Sequence, residues 1–494
     1  MNVLYKAILI ATFLILRISA FSQAPPLQWQ KNFGGNLSDS LLVTAQNNQG
    51  DIYIAGFGYS TTGDLSGNAG SADIWLAKLD PLGNKIWDRT YGGSLRDRVV
   101  DIATTSDGSA LLLCYSESTN GTFASVGNVK GVWVMKISPS GTLSTLTSFG
   151  GNPQTSGAII STSDGGYLFA SNVQGTNGVV TSAGLNDIWL VKANSVGAIS
   201  WQKSLGGTLQ EYPAGLLEKN SNYYILGSSN SPTVNTKANH GDYDLLVAQY
   251  SFSGTRNWTQ LFGGMQEDRG VAITDAGTDI MYVGNVKSNN GDLYIKVSND
   301  VDAWVIKTDE TGLLGLDGLI IGSSADDFAA GLVFEPFFGV PIISGTIYGT
   351  FGSGNPTVPN IFVASAEALG GIDWIEIFGG SGLDIANDLL IMADGGLLVT
   401  GHSTSSNGNL TANYGASDFW ALKLHDPCPD TYTDFTSITI DENFNRTSRF
   451  SITGKVKITG ANTRAFFDSP AITLEPGFQV DSGTVFYAIP AGCN

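Results

Sequence analysis

Short apolar segments separated by turns rich in Gly, Asp and Asn recur along most of the chain. In one representative stretch the segments cover residues 87–91, 99–103, 110–114 and 132–137. The dipeptide Asp107-Gly108 lies between the second and third segments. Asp-Gly between apolar runs indicates a tight hairpin, because both residues tolerate positive φ. The pattern therefore predicts units of four short antiparallel strands.

Both faces of each predicted sheet are apolar. In the run that starts at Asp73, the residues Trp75, Ala77 and Leu79 alternate with Ile74 and Leu76. Alternate residues of a strand lie on opposite faces of its sheet, so neither face of this strand is polar. Such a sheet needs a neighbouring sheet on each side.

A glycine pair marks one point of the unit and recurs seven times. Its first residue is Gly34, Gly92, Gly150, Gly206, Gly263, Gly322 or Gly379, and the intervals are 58, 58, 56, 57, 59 and 57 residues. Seven four-stranded units that each need two neighbours predict an all-β fold, a seven-bladed β-propeller. We place the propeller at residues 27–425.

The order of the segments predicts how the propeller closes. The chain begins with a single segment at residues 28–33, and the seventh copy ends at residues 418–424 without a following segment of its own. We expect the N-terminal strand to complete the last blade, because a closed ring leaves no unpaired strand edge.

One position of the third segment is aromatic in most copies. It reads Trp75, Trp133, Trp189, Leu246, Trp304, Phe362 and Trp420, and the sixth copy departs most from the template. A catalytic or cofactor role is one interpretation, but a large aromatic residue once per blade is typical of packing between blades. The lysine three residues later, such as Lys78, is expected to reach solvent or a neighbouring carboxylate.

The repeat resembles a known group of proteins. The pattern W-x-x-x-x-G-G, D-G-G-Y, then D-x-W-x-x-K-L-x-x-x-G-x-x-x-W is similar to secreted β-propeller repeat proteins of type IX-secreting bacteria, and the likeness covers residues 28–424. It implies an exported or cell-surface propeller. It implies no catalytic residues.

The two ends of the chain predict export and a second module. Residues 1–22 contain Lys6, a short apolar run and small residues, which indicate a cleaved signal peptide. Residues 426–430 form a Pro-rich linker, and residues 431–494 alternate as in a small C-terminal β module. This module resembles the three-coathanger stack of exported proteins from the same bacteria, which implies attachment or presentation.

Three cysteines occur in the chain, without metal-ligand spacing. Cys428 and Cys493 bracket the C-terminal module, and we expect a disulfide between them in an oxidising compartment. Two unpaired thiols are the alternative. Cys114 lies in an apolar segment and is expected to be a buried, inert thiol.

The charge of the chain restricts its partners. The formal net charge is −19. An acidic surface repels nucleic acid, and no later segment has the 18 unbroken apolar residues of a membrane span. The three histidines, His240, His402 and His425, lie far apart, so the sequence contains no visible zinc or His-dependent nucleophilic site.

An acidic residue follows the glycine pair in six of the seven copies. These residues are candidates for a ring around one mouth of the central channel, which would attract a cation or a basic ligand group. Hydrogen bonding of each carboxylate within its own turn is the favoured alternative. The six are Asp39, Asp97, Glu211, Asp268, Asp327 and Asp384, and the seventh copy has Thr155.

Loops before the aromatic strand are rich in Asp, Asn and Gly, as at Gly63-Asp64 and at Gly241 to Asp244. Calcium is a candidate ligand of these loops, although their spacing does not match the D-x-D-x-D-G loop. A turn-capping role is the alternative for the last aspartate of each loop. No other cofactor is expected.

These observations predict an exported, non-enzymatic binding or surface protein, secreted or attached to the cell surface and monomeric. An extracellular glycan or protein would bind to loops on one face of the propeller. The alternatives are an extracellular polysaccharide hydrolase or lyase using two channel-facing carboxylates, and a structural spacer.

Overall fold

The computed structural model describes most of the repeat region. The described residues do not include the predicted signal peptide, the linker with Cys428, or Cys493. They also leave out Thr155 and most of the loop at residues 349–360. The description covers residues 24–425 except 66, 125–129, 151–155, 176–180, 294–295, 297, 316–317, 337–338, 350–357, 367–370 and 411, and beyond residue 430 the backbone of strands only.

Seven four-stranded antiparallel sheets, the blades, follow one another between residues 27 and 424. Blade 1 is β2–β5, blade 2 is β6–β9, blade 3 is β10–β13, blade 4 is β14, β15, β18 and β19, blade 5 is β20–β23, blade 6 is β24–β27, and blade 7 is β28–β30 with β1. The strands are β1 (Leu27–Phe33), β2 (Asp39–Gln46), β3 (Ile52–Gly58), β4 (Asp73–Leu79), β5 (Lys85–Tyr91), β6 (Asp97–Thr104), β7 (Ala110–Ser116), β8 (Gly131–Ile137), β9 (Leu143–Gly150), β10 (Ala158–Ser161), β11 (Tyr167–Val173), β12 (Asp187–Ala193), β13 (Ile199–Leu205), β14 (Glu211–Lys219), β15 (Asn222–Ser229), β16 (Thr233–Val234), β17 (Lys237–Ala238), β18 (Asp244–Ser251), β19 (Arg256–Phe262), β20 (Asp268–Ala276), β21 (Asp279–Val286), β22 (Asp302–Thr308), β23 (Leu319–Ile321), β24 (Phe328–Glu335), β25 (Val340–Ile347), β26 (Asn360–Ala366), β27 (Ile372–Phe378), β28 (Asp384–Ile391), β29 (Leu397–Ser403) and β30 (Asp418–Leu424).

The blades form a closed ring, so the predicted seven-bladed β-propeller is confirmed. The first strand of each blade is innermost and contacts the innermost strands of both neighbouring blades, and β28 of blade 7 contacts β2 of blade 1. Strand β1 pairs with β30, with Phe33 opposite Phe419. The N-terminal strand therefore completes the last blade, as the sequence predicted.

Seven apolar clusters hold the ring together, one at each interface between adjacent blades. The repeated tryptophans lie in these clusters and are at most 2% exposed. Trp75 of blade 1, for example, stacks on Phe419 of blade 7 with 4.8 Å between ring centroids. This position packs blade against blade, which is the interpretation that the sequence favoured.

A second tryptophan links the outermost strands to the next blade. The Nε1 group of Trp87, on β5, donates a hydrogen bond of 3.0 Å to the carbonyl of Pro139 in the hairpin of blade 2. Trp29, Trp201 and Trp258 make the equivalent bond to Pro81, Phe252 and Glu310. Gly83 in the first of these hairpins has φ +77°, which permits the tight turn under the Trp29 ring.

The repeated lysines pair with the aspartate of a hairpin in the same blade. Lys78 lies 2.7 Å from Asp51, and Lys192, only 3% exposed, lies 2.8 Å from Asp164. Lys136 and Lys423 make the same contact with Asp107 and Asp394. The side chains therefore reach a carboxylate, one of the two predicted outcomes.

The C-terminal strands form two parallel sheets. Most successive strands alternate between the two sheets. One sheet contains β31 (Thr431–Ile440), β33 (Ser451–Ile458), β35 (Ile472–Leu474) and β36 (Gln479–Val480), and the other contains β32 (Phe444–Thr447), β34 (Arg464–Asp468) and β37 (Val485–Ile489).

Candidate functional site

The two faces of the propeller carry different turns, because strand direction alternates through each blade. One face has the glycine-pair turns, which join the outermost strand of one blade to the innermost strand of the next. The loops between second and third strands lie on the same side. We call it the glycine-pair face, and the remaining hairpins lie on the opposite face.

The acidic residue after each glycine pair is buried within its turn. Asp97 is 0% exposed. Its carboxylate accepts hydrogen bonds from the Gly93 amide at 2.7 Å, the Ser116 hydroxyl at 2.5 Å and the Ser118 hydroxyl at 2.8 Å. Burial raises its pKa, and these hydrogen bonds oppose the shift.

The other five acids repeat this arrangement. Each is at most 1% exposed and accepts a bond from the backbone amide four residues earlier. These contacts favour hydrogen bonding within the blade, and a ligand-binding role of the acidic ring stays a prediction. The five are Asp39, Glu211, Asp268, Asp327 and Asp384.

The aspartate that precedes each aromatic strand also closes a turn. One oxygen of Asp73 accepts from the Ala69 amide at 2.7 Å, and Asp187, Asp244 and Asp418 make the equivalent bond. The other oxygen of Asp73 has no hydrogen-bond partner and packs against Gly92, where an added Cβ would lie 2.1 Å away. Glycine is therefore required at position 92, because the Asp73 carboxylate lies too close to leave room for a side chain.

Burial raises the pKa of Asp73, Asp244 and Asp418 to about 6. In all three, the nearby acid of the following turn adds to the shift. Within the described residues, no group of three or more His, Cys, Asp or Glu side chains is arranged to hold a metal ion. The capping contacts explain the loop aspartates without calcium.

Two further carboxylates, which the sequence did not single out, lie beside the axis. Asp101 of blade 2 accepts a 2.7 Å hydrogen bond from the Ile159 amide of blade 3, and Asp388 of blade 7 accepts one of 2.8 Å from the Thr44 amide of blade 1. Both link neighbouring innermost strands. Both residues are half-buried, and protein atoms surround their carboxylates closely. Burial raises the pKa of each to about 7, and the Asp101 charge contributes at Asp388.

Two arginines lie at the mouth of the channel on the glycine-pair face. Arg98 and Arg269 each follow the turn acid directly, at the start of an innermost strand. The Arg98 guanidinium carbon is 4.6 Å from the Phe57 ring centroid, and that of Arg269 is 3.7 Å from the Tyr243 ring centroid. Both aromatic rings belong to the preceding blade, so each arginine spans a seam between blades.

Exposed apolar side chains surround the same mouth. Five of them lie one to three residues before innermost strands, and exposures range from 37% for Leu209 to 71% for Met265. The opposite face also has exposed apolar residues, such as Leu82 and Val196, but they lie in outer hairpins away from the axis. The five are Leu37, Leu95, Leu209, Met265 and Leu383.

The histidines and the free cysteine add no reaction centre to the described part of the chain. The Nδ1 atom of His240 lies 2.8 Å from Asp244 in blade 4, and that of His402 lies 3.0 Å from Asn387 on the neighbouring strand of blade 7. Burial lowers the pKa of His402. Cys114 is a buried free thiol, as predicted.

Comparison with known proteins finds likeness in structure alone. No family model and no curated protein sequence matches the chain. The α-L-arabinofuranosidase Arb93A from Fusarium graminearum is similar at 12% identity and TM-score 0.43, over 66% of this chain and 93% of the enzyme. The Dos1 propeller is similar at 10% identity and TM-score 0.41, over 82% of this chain and 97% of Dos1. The plexin A4 extracellular region is similar at 8% identity and TM-score 0.47, over 80% of this chain and 50% of plexin.

Proposed function

We propose that this chain is an exported, non-enzymatic binding protein that recognises a glycan or protein ligand on the glycine-pair face. The observation that supports this proposal is the concentration of exposed apolar side chains and stacked arginines around one channel mouth. Contiguous apolar surface bordered by polar groups is typical of binding sites. In the described residues no helix is long and apolar enough to cross a membrane.

The turn acids on this face are poorly placed to act as catalytic groups, which favours binding over catalysis. A general acid or base must reach the reacting group of the substrate. The six carboxylates are buried and hydrogen-bonded within their own blades, so a bound ligand would meet the apolar and arginine side chains first.

A comparison of the two faces tests this function. The protein is applied to a glycan array and to a panel of extracellular matrix proteins. The variants Leu95→Asp and Met265→Asp alter the glycine-pair face, and Leu82→Asp and Val196→Asp are controls on the opposite face. We expect ligand binding by the parent and controls and its loss in the first two variants. Equal loss in all four, or no binding by the parent, would contradict the proposal.

The polysaccharide hydrolase or lyase is a second candidate, for which Asp101 and Asp388 are the channel carboxylates. Their pKa of about 7 is suited to proton transfer near neutral pH. Each, however, uses both oxygens to accept backbone hydrogen bonds. Release of reducing or unsaturated ends from polysaccharides, abolished by Asp101→Asn, would support this activity over binding. The spacer role would be supported by neither binding nor turnover.

A further inference from the structure

Arginine is unevenly distributed in this acidic protein. The described part of the propeller contains Arg89, Arg96, Arg98, Arg256 and Arg269. Three of them, at positions 96, 98 and 269, lie at or beside the start of an innermost strand on the glycine-pair face. Three of the five arginines therefore lie at one channel mouth, although the whole chain has a net charge of −19.

One donor of the Arg98 guanidinium group, its Nε atom, is unsatisfied. Among the described residues no carboxylate lies within 4.0 Å of it, and its buried Nε atom has no hydrogen-bond acceptor. One side of the group rests on Phe57. A buried donor without a partner is unfavourable, and an acceptor brought by a ligand would remove that cost.

Arg269 is held in place by a rigid aromatic support. Its guanidinium lies over Tyr243 and, at 5.7 Å, over Tyr212. The hydroxyls of both tyrosines donate to the Gln210 side chain, at 2.6 Å and 3.2 Å respectively, which fixes the rings. Its ion pair with Glu267 is exposed to solvent, and exposed pairs contribute little stability. A competing carboxylate can therefore replace Glu267.

Two features indicate which kind of ligand fits this mouth. A planar guanidinium held on an aromatic ring is suited to bidentate contact with a carboxylate. Exposed aromatic rings at the same face, Phe328 and Tyr348 among them, offer flat apolar surfaces. Sugar rings have C–H faces that pack on such surfaces, so an acidic saccharide would use both the arginines and the aromatic rings. An acidic peptide would use the arginines alone.

The charge around the mouth restricts how far a ligand can enter the channel and how densely charged that ligand can be. Asp101 and Asp388 lie further along the innermost strands and, when ionised, would repel an anion inside the channel. The net negative charge of the protein also opposes the approach of a densely charged polyanion. A saccharide with no more than one carboxylate per sugar ring, bound at the rim, satisfies both restrictions.

We propose that the channel mouth on the glycine-pair face binds a carboxylate-bearing saccharide, with Arg98 and Arg269 contacting its carboxylates. This inference rests on the proposed binding function and specifies its ligand. Neutral glycans would pack on the aromatic rings but would offer Arg98 only uncharged oxygen acceptors, which form weaker hydrogen bonds than a carboxylate.

Calorimetric titration with oligogalacturonate tests the proposal, with the methyl-esterified oligomer as the uncharged match. We expect the acid form to bind at least about tenfold more tightly, because a charge-assisted hydrogen bond is stronger than one between neutral groups. Arg98→Gln and Arg269→Gln should each weaken binding of the acid form by about the same factor, and Arg98→Lys by less. Arg89→Gln is the control, since Arg89 is stacked on Trp87 at 5.8 Å but lies on an outermost strand.

The possible outcomes separate this proposal from the general function. Equal binding of the two oligomers, or equal loss in Arg89→Gln, would overturn the role of the mouth arginines. Binding only of neutral glycans would overturn the carboxylate requirement, and binding only of a polyglutamate peptide would overturn the saccharide assignment. Either result would leave a binding protein. Failure to bind any member of these panels would overturn both. Unchanged melting temperatures in the variants show that the loss comes from the site.

Discussion

Gln30 and Trp420, 390 positions apart, are joined by a hydrogen bond of 3.1 Å from the Trp420 Nε1 group to the Gln30 side-chain oxygen. The two residues lie on β1 and β30, the first and last strands of the propeller. The N-terminus therefore fastens the last blade, and Trp29 next to it reaches blade 1 through the Pro81 carbonyl. Ring closure depends on this strand.

Removal of residues 24–34 should therefore destabilise the whole ring. The deletion exposes the edge of β30 and the apolar clusters of blade 7, so we expect the melting temperature to fall by more than about 10 °C. A chain that begins at Ala24 is the control, and Gln30→Ala, which removes one hydrogen bond, should cost only about 1 kcal/mol. An unchanged thermal melt by circular dichroism in the deletion variant would contradict closure by β1.

The sequence predicted the blades and their closure, but it did not predict the axial carboxylates. The repeat length and the apolar alternation within strands recur seven times, so one sequence is enough to reveal them. Asp101 and Asp388 occupy a position that reads Val43 in blade 1, so no repeated signal marks them. Their role depends on backbone amides of the next blade, which only the assembled ring brings near. The same holds for Arg98 over Phe57.

Gly92, the first glycine of its pair, should tolerate no side chain. Gly92→Ala places a Cβ 2.1 Å from the buried Asp73 oxygen, and we expect a loss of about 3 kcal/mol in the free energy of unfolding. Gly165→Ala is the control, because Gly165 has φ +80° and no atom within 4 Å of the added Cβ. It should cost about 1 kcal/mol through backbone strain alone. Similar losses in urea denaturation would show that the contact with Asp73 is unimportant.

Removal of Asp164 should destabilise the protein more than removal of Lys192, although the two side chains form one ion pair. Lys192 is 3% exposed at its side chain and Asp164 is 59% exposed. Asp164→Ala leaves a buried ammonium group without its carboxylate, whereas Lys192→Met removes the charge and keeps the apolar stem. We expect the first variant to be less stable than the second by at least about 1 kcal/mol in urea denaturation. The opposite order would mean that the ammonium is well hydrated.

The axial carboxylates should make the propeller more stable at mildly acidic pH. The pKa of Asp101 and Asp388 is about 7 in the folded protein, against 3.8 for an ordinary aspartate. The folded state therefore binds more protons between these values, and stability is fully present below about pH 4 and lost as the pH rises through 7. We expect the melting temperature to be of the order of 5 °C higher at pH 5 than at pH 8.

Amide variants identify the groups responsible for this pH dependence. Asp101→Asn and Asp388→Asn mimic the protonated forms, so each should reduce the difference between pH 5 and pH 8. The double variant should remove about half of it, because Asp73, Asp244 and Asp418, with a pKa of about 6, titrate in the same window. Asp107→Asn is the control: its carboxylate pairs with Lys136, which holds its pKa below the ordinary value, so it does not titrate in this window. A double variant that keeps the parent pH profile would show that other buried acids, such as Asp73, cause the effect.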